Sequence, residues 1–196
     1  MPNIDKVYRF TINPDKYLYL NETGFEQTMQ LTQNEILTFD GSSMLDDWRT
    51  LGINWLIHDS NKDLGLEIPD IAGLGATSFV LSQKAKNILE PHLGDNVEYL
   101  ECDLKGERWF ALNLLGFEDA VDHDLTEFNY NKRGQVSRTR RFKRLVMDKA
   151  KINNTALFRT KDTTLRYFTT DAENSLYQLI KENDLTGLDF IEIETK

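Results

Sequence analysis

Residues 97–115 constrain the fold most. The segment VEYLECDL, Val97–Leu104, alternates apolar and polar side chains, part of RWFALNLL at 108–115 does the same, and Lys105-Gly106 lies between them. A period of two sends successive side chains to opposite faces of a strand, and a short Gly-containing link suits a tight antiparallel return. The segment predicts a hairpin with one buried face, which needs an apolar cover. The residues just before it supply one. Ala85, Ile88, Leu89 and Leu93 recur at three- and four-residue intervals behind Ser82, a capping residue, and predict an amphipathic helix over about 82–93. Pro91 falls late enough to disturb only its last turn.

The remaining pattern extends this theme. Residues 7–12 and 17–20 are rich in β-formers and flank Asn13-Pro14-Asp15, which predicts a first hairpin. Residues 36–39 end at an Asp40-Gly41 turn, and 53–57 (INWLI) predict another strand. Residues 69–75 (PDIAGLG) read as a loop. That loop divides a β-rich lobe, 1–75, from an α+β lobe, 76–196, unless the two form one continuous domain. Residues 156–160 and 164–169 predict a further hairpin around Lys161-Asp162. Thr170-x-x-Glu173 has the spacing of a capping box, with Asp171 as the other candidate cap. It opens a helix over about 171–183 with Leu176, Leu179 and Ile180 on one face. Residues 188–193 close the chain as a strand. The expected class is α+β, mostly antiparallel hairpins with two main amphipathic helices.

Composition narrows the setting. In 196 residues, 11 Phe, 7 Tyr and 3 Trp provide a large core payload, while a mean hydropathy of -0.50 and four Pro argue against membrane and low-complexity classes. Asp5 and Lys6 stand where an export signal needs its apolar run, and no stretch of eighteen apolar residues occurs. One cysteine, Cys102, leaves no internal disulfide and no multi-thiolate metal site, which fits a cytoplasmic location. The formal net charge is -9, but residues 132–151 hold nine basic residues and one acid. Elsewhere 14 basic and 31 acidic residues give -17. Such a body repels nucleic acid and suits a basic partner.

The candidate chemistry is sparse. His58-Asp59 and His123-Asp124 pair an imidazole with a carboxylate, but two dyads are not a converging ligand set. Gly41-Ser42-Ser43 runs on into Met44-Leu45 and is no nucleophile elbow, and Cys102 shares a strand face with Leu100 and Leu104, so burial is its expected fate. Gly73-Leu74-Gly75 has Ser78 where a dinucleotide fingerprint needs a third Gly or Ala, and no Lys-Ser/Thr pair follows to make a phosphate loop. Neither cofactor nor metal is expected, and no enzyme. The densest acids, Asp119, Asp122 and Asp124, are the candidate contacts for a basic protein. Two alternatives draw on the same region: a hydrolase site from Asp119, Asp122, His123 and Asp124, and a nucleic-acid arm from Arg138, Arg140, Arg141, Lys143 and Arg144, with Phe142 for stacking.

An ordered set of short motifs adds a resemblance. Phe39-Asp40-Gly41 with Trp48, Pro69-Asp70-Ile71, Val80-Leu81-Ser82, Val97-Glu98-Tyr99-Leu100, Trp109 to Leu114 with Asn113, Val121-Asp122, Leu157-Phe158-Arg159, and Leu185-Thr186-Gly187-Leu188-Asp189-Phe190 resemble the layout of a bacterial family. That family, once a domain of unknown function, is regarded as immunity proteins of polymorphic toxin systems, immunity protein family eleven. The resemblance runs from about Phe39 to Ile193. It implies a cytoplasmic, non-catalytic inhibitor whose partner is a cognate protein toxin, and says nothing of oligomeric state. The matched positions read as fold residues: Gly187 as a left-handed helix terminator, Leu188 and Phe190 on one strand face, Phe158 in the core. His123-Asp124-Leu125-Thr126 departs from the family's acidic-then-Ser pattern, and residues 1–38 lie outside the resemblance.

Overall fold

A computed structural model describes residues 4–32, 37–75, 78–137, 141–163 and 166–196. Its twelve strands are β1 (Val7–Ile12), β2 (Leu20–Glu22), β3 (Leu51–Trp55), β4 (Ile71–Leu74), β5 (Ser78–Ser82), β6 (Val97–Leu104), β7 (Glu107–Leu114), β8 (Glu127–Phe128), β9 (Phe142–Arg144), β10 (Val146–Met147), β11 (Phe168–Thr170) and β12 (Leu188–Thr195). Three short helices are α1 (Phe25–Leu31), α2 (Gln83–Leu93) and α3 (Leu176–Glu182). A closed barrel in the order β2-β3-β6-β7-β5-β4 stands beside a four-stranded sheet, β10-β12-β1-β11, and β8 pairs with β9.

The expected hairpin is the barrel's longest pairing. β6 and β7 run antiparallel from Val97↔Leu114 to Leu104↔Glu107, and Lys105 and Gly106 both take positive φ, as the tight mirror-image turn requires. Asp103 Oδ1 accepts the Gly106 amide at 3.0 Å. One row of the hairpin, Leu100, Cys102, Leu104, Trp109 and Ala111, packs with Leu20, Leu51, Ile53, Leu74 and Val80 as the barrel interior. The other row, Val97, Leu112 and Leu114, packs under Ala85, Leu89 and Leu93 of α2 and Leu176, Leu179 and Ile180 of α3. Ser82 caps α2, accepting the Ala85 amide at 3.2 Å.

Several expectations change. The architecture is α+β, but more β-rich and less hairpin-built than expected: β2–β4, β3–β6 and β10–β12 are parallel, and the barrel closes on itself. β1 does not return onto residues 17–20. Asn13 does close a turn, accepting the Tyr17 amide at 3.0 Å, yet β1 pairs with β12 and β11, where Phe10 faces Phe190 and Ile12 faces Leu188. Cross-strand apolar partners outweigh the local return.

Residues 71–74 are not a loop but the buried strand β4, in which the missing side chain of Gly73 leaves room for the Tyr19 ring. The last helix starts later than 171. Ser175 is its cap, accepting the Gln178 amide at 3.3 Å, while Asp171 Oδ1 takes the amides of Asp5 and Lys6 and Thr170 Oγ1 donates to the Thr155 carbonyl. Phe158 and Phe168 exchange backbone hydrogen bonds of 2.9 and 2.8 Å, so the expected pairing of residues 156–169 survives as a single bridge; Thr164 and Leu165 lie outside the described residues, as does Ile36. Three barrel strands precede residue 75 and three follow it.

Candidate functional site

Parity explains the most unusual part of the interior. Glu98 and Asn113 continue the inward rows of β6 and β7, so the apolar lining ends at one barrel mouth in a carboxylate and an amide facing each other across the pair Glu98↔Asn113. Both are buried, at 5% and 0% exposure. Asn113 Nδ2 donates to Glu98 Oε2 at 2.8 Å and to the Ser42 carbonyl at 2.8 Å. The Met44 amide donates to Glu98 Oε2 at 2.9 Å, and Ser43 Oγ donates to Oε1 at 2.5 Å. Leu37 and Phe39, just before, join the interior cluster. The segment 37–44 is therefore a plug, held apolar side down and fastened by buried polar groups.

Arg159 locks the plug from outside. Its guanidinium, 1% exposed, donates to the carbonyls of Phe39 (2.5 Å) and Leu114 (2.8 Å) and lies over the Phe117 ring at 4.7 Å. Burial pulls its pKa down, with the charges of Tyr167 and Asp40 opposing. Gly41 has φ +99, and a methyl there would press on Phe117 and on Arg159 itself. Asp40, below the usual carboxylate range because the Ser42 hydroxyl and amide donate to it, stiffens the same turn. Trp48 Nε1 donates to the Glu101 carbonyl at 2.8 Å. The Phe39-Asp40-Gly41, Trp48, Glu98, Asn113 and Arg159 positions thus form one structural lattice. Sequence reasoning took them as separate fold residues; the inward parity of Glu98 and Asn113 was the signal that they meet.

The acidic candidates divide by environment. Ala120 and Val121 are buried and pinned to β10 through backbone bonds, Asp122 N to the Val146 carbonyl and Asp148 N to the Ala120 carbonyl. Asp119 and Asp124 remain exposed, and so, in the same stretch of chain, do the apolar side chains of Phe117 and Leu125. Asp122 instead turns in: its carboxylate accepts the amides of Asp124 (3.0 Å) and Leu125 (2.9 Å) and pairs with Lys196 at 3.0 Å. The Lys196 ammonium and those amides hold it below the usual carboxylate range. His123 Nε2 lies 3.3 Å from Asp162, not against its neighbouring acids.

The basic candidates are largely neutralised by the protein itself. Arg141 pairs with Asp162 at 3.3 Å, Lys143 with Glu127 at 2.8 Å, and Arg144 with Glu194; Arg138 and Arg140 lie outside the described residues. Cys102 is fully buried, and burial pushes its thiol up to about 12. Among the described residues no three His, Cys, Asp or Glu side chains come together as a metal ligand set, and no helix is long and apolar enough to cross a membrane.

No curated protein matches the chain. A family profile does: the Immunity protein family (Imm11) matches residues 13–195, starting 26 residues before the first motif that carried the resemblance, so part of the amino-terminal region belongs to the family too. Nearly the whole fold, from the turn after β1 to the end of β12, lies within that match, and the chain belongs to the Immunity protein family (Imm11).

Proposed function

We propose that this protein is a non-catalytic inhibitor that neutralises one cognate toxin of a polymorphic toxin system by binding it, in the cytoplasm of the bacterium that makes both. The observation that carries the proposal is a division of labour within the family match. Glu98, Asn113 and Arg159 fasten the plug to the barrel, and Asp70 and Thr186 join the barrel to the sheet, so recognition falls to the outward surface. Two features of that surface support a basic protein partner. The body outside residues 132–151 carries -17, which accelerates encounter with a positive surface. Asp119 and Asp124 are exposed in a segment that also exposes the apolar side chains of Phe117 and Leu125, so it offers both kinds of group that interfaces use. Asp122 shapes this segment from within.

The test is co-expression with the toxin encoded beside the gene. Protection of the cell and a 1:1 complex, burying on the order of 1,600 Å² as inhibitor complexes do, are the expected outcome. Asp119→Lys and Asp124→Lys should each slow association by several-fold at low salt and leave folding intact. A toxin that kills regardless and forms no complex overturns the proposal.

A further inference from the structure

Arg9 and Arg166 are an arginine pair with no counter-ion among the described residues. Both line a cleft of about 360 Å³ where the segment entering β11 separates from β1, opposite the barrel wall at Tyr19, Gly73 and Phe79. Among the described residues neither guanidinium has a carboxylate within ion-pair distance, and Arg9 Nε is shut off from solvent with no acceptor. Asp189, opposite Thr11, shares the Arg9 face of the sheet but pairs with neither. Arg166 is held in place from the other side, its guanidinium 5.6 Å from the centre of the Phe142 ring. Burial, and then the charge of Arg9 in the same cleft, pull the Arg166 pKa down.

Like charges half-sheltered in one cleft are costly unless something neutralises them. Elsewhere this protein supplies that partner itself, as for Arg108, Arg141 and Arg144. Here it does not. Two planar forks suit an oxyanion that can accept from both, and two positive charges match a phosphate group, near -2 at neutral pH, better than a singly charged carboxylate. We propose that the cleft between Arg9 and Arg166 is a binding site for a phosphate group, free or carried by a small phosphomonoester. The site draws on none of the residues proposed above for toxin binding. Neither arginine lies in a stretch whose sequence looks basic, so the pair is legible only once β1 and residue 166 are brought together.

Calorimetric titration of the full chain at fixed ionic strength tests this with three probes: inorganic phosphate, ribose 5-phosphate and acetate. Inorganic phosphate should bind 1:1, and acetate at least about tenfold more weakly. A tighter ribose 5-phosphate identifies a carried phosphate as the natural form; equal affinity identifies the free ion. Arg9→Met and Arg166→Met should each weaken phosphate by about tenfold or more, while Arg133→Met, an exposed arginine in a separate loop, should not. Because stabilisation by a ligand follows its affinity, phosphate should raise the melting temperature of the parent protein far more than that of a folded variant. No phosphate binding by the parent protein, binding unchanged in both variants, or acetate binding as well as phosphate overturns the inference.

Discussion

Asp70 and Thr186, 116 residues apart, hold each other by reciprocal hydrogen bonds. The Asp70 carboxylate accepts the Thr186 amide at 2.9 Å and its hydroxyl at 3.1 Å, and Thr186 Oγ1 accepts the Asp70 amide at 3.0 Å. The Ile71 amide adds a bond to the Thr186 carbonyl, and Lys84 pairs with the carboxylate at 3.1 Å. This clasp joins the start of β4, in the barrel, to the approach to β12, in the sheet. Two of the short motifs, Pro69-Asp70-Ile71 and the 185–190 segment, therefore make one structural device.

Thr186→Val removes the hydroxyl and leaves the Asp70 amide without its acceptor. The expected loss is about 1–3 kcal/mol, the cost of an unsatisfied buried or half-buried polar group, read as a lower urea midpoint at unchanged slope. Gly187→Ala should be worse. Gly187 has φ +122, and its hydrogen faces the Ile71 carbonyl where a methyl would overlap the oxygen, so soluble expression should fall sharply.

The plug gives a second stability test. Arg159→Lys replaces a fork that reaches two carbonyls with a single ammonium, so one of the Phe39 and Leu114 carbonyls loses its donor inside the protein. A loss of about 2–4 kcal/mol is expected, measured by chemical denaturation. Asn113→Leu should cost a similar amount, because Glu98 then keeps only Ser43 and Met44 as donors. Glu98→Gln, which retains an acceptor oxygen, should cost less than either.

The pair Asp122–Lys196 predicts a pH window. The Asp122 pKa is lowered in the folded protein, chiefly by Lys196, so its contribution is present above the unfolded value near about 4 and is lost as pH falls through the folded value. The Lys196 pKa is raised by the same contact, so its contribution is present below about 10.4 and is lost as pH rises through the folded value. The melting temperature of Lys196→Met should therefore trail the parent protein between about pH 5 and 9 and converge with it in acid. A gap that persists at pH 2 would assign the effect to packing.

What the sequence disclosed was local and periodic. The hairpin of residues 97–114 and the helix behind Ser82 were legible because alternation, a turn dipeptide and a capping serine all agreed there. Barrel closure was not, because it rests on short strands such as β2, three residues long, and on a parallel pairing at Leu20↔Leu74 that leaves no spacing to read. The fate of β1 was hidden for a related reason: its partners lie 159 to 186 residues away, while a good turn stood next to it. At the candidate surface the acids were visible, but not that Asp122 turns inward while its neighbours point out. That distinction depends on Val121 being pinned to Met147.

Residue 75, the expected lobe boundary, falls between β4 and β5 of one closed barrel. The barrel takes β2, β3 and β4 from one side of it and β5, β6 and β7 from the other, and β1 is enclosed between β11 and β12. A fragment of residues 76–196 would expose the interior row Leu100, Cys102, Leu104 and Trp109, all buried in the full chain, and would lose the β3 edge that pairs with Cys102 and Asp103. Uncovered rows of this kind drive aggregation. We therefore expect neither 1–75 nor 76–196 to fold alone, and the full chain to unfold in one transition. The tryptophans make this measurable: Trp48 and Trp55 come from the first part and Trp109 from the second, and all three pack on the barrel cluster. Tryptophan fluorescence and far-ultraviolet circular dichroism, which also reports α2 and α3, should give the same urea midpoint. A fragment 76–196 that is soluble, helical and melts cooperatively would instead establish two separable lobes.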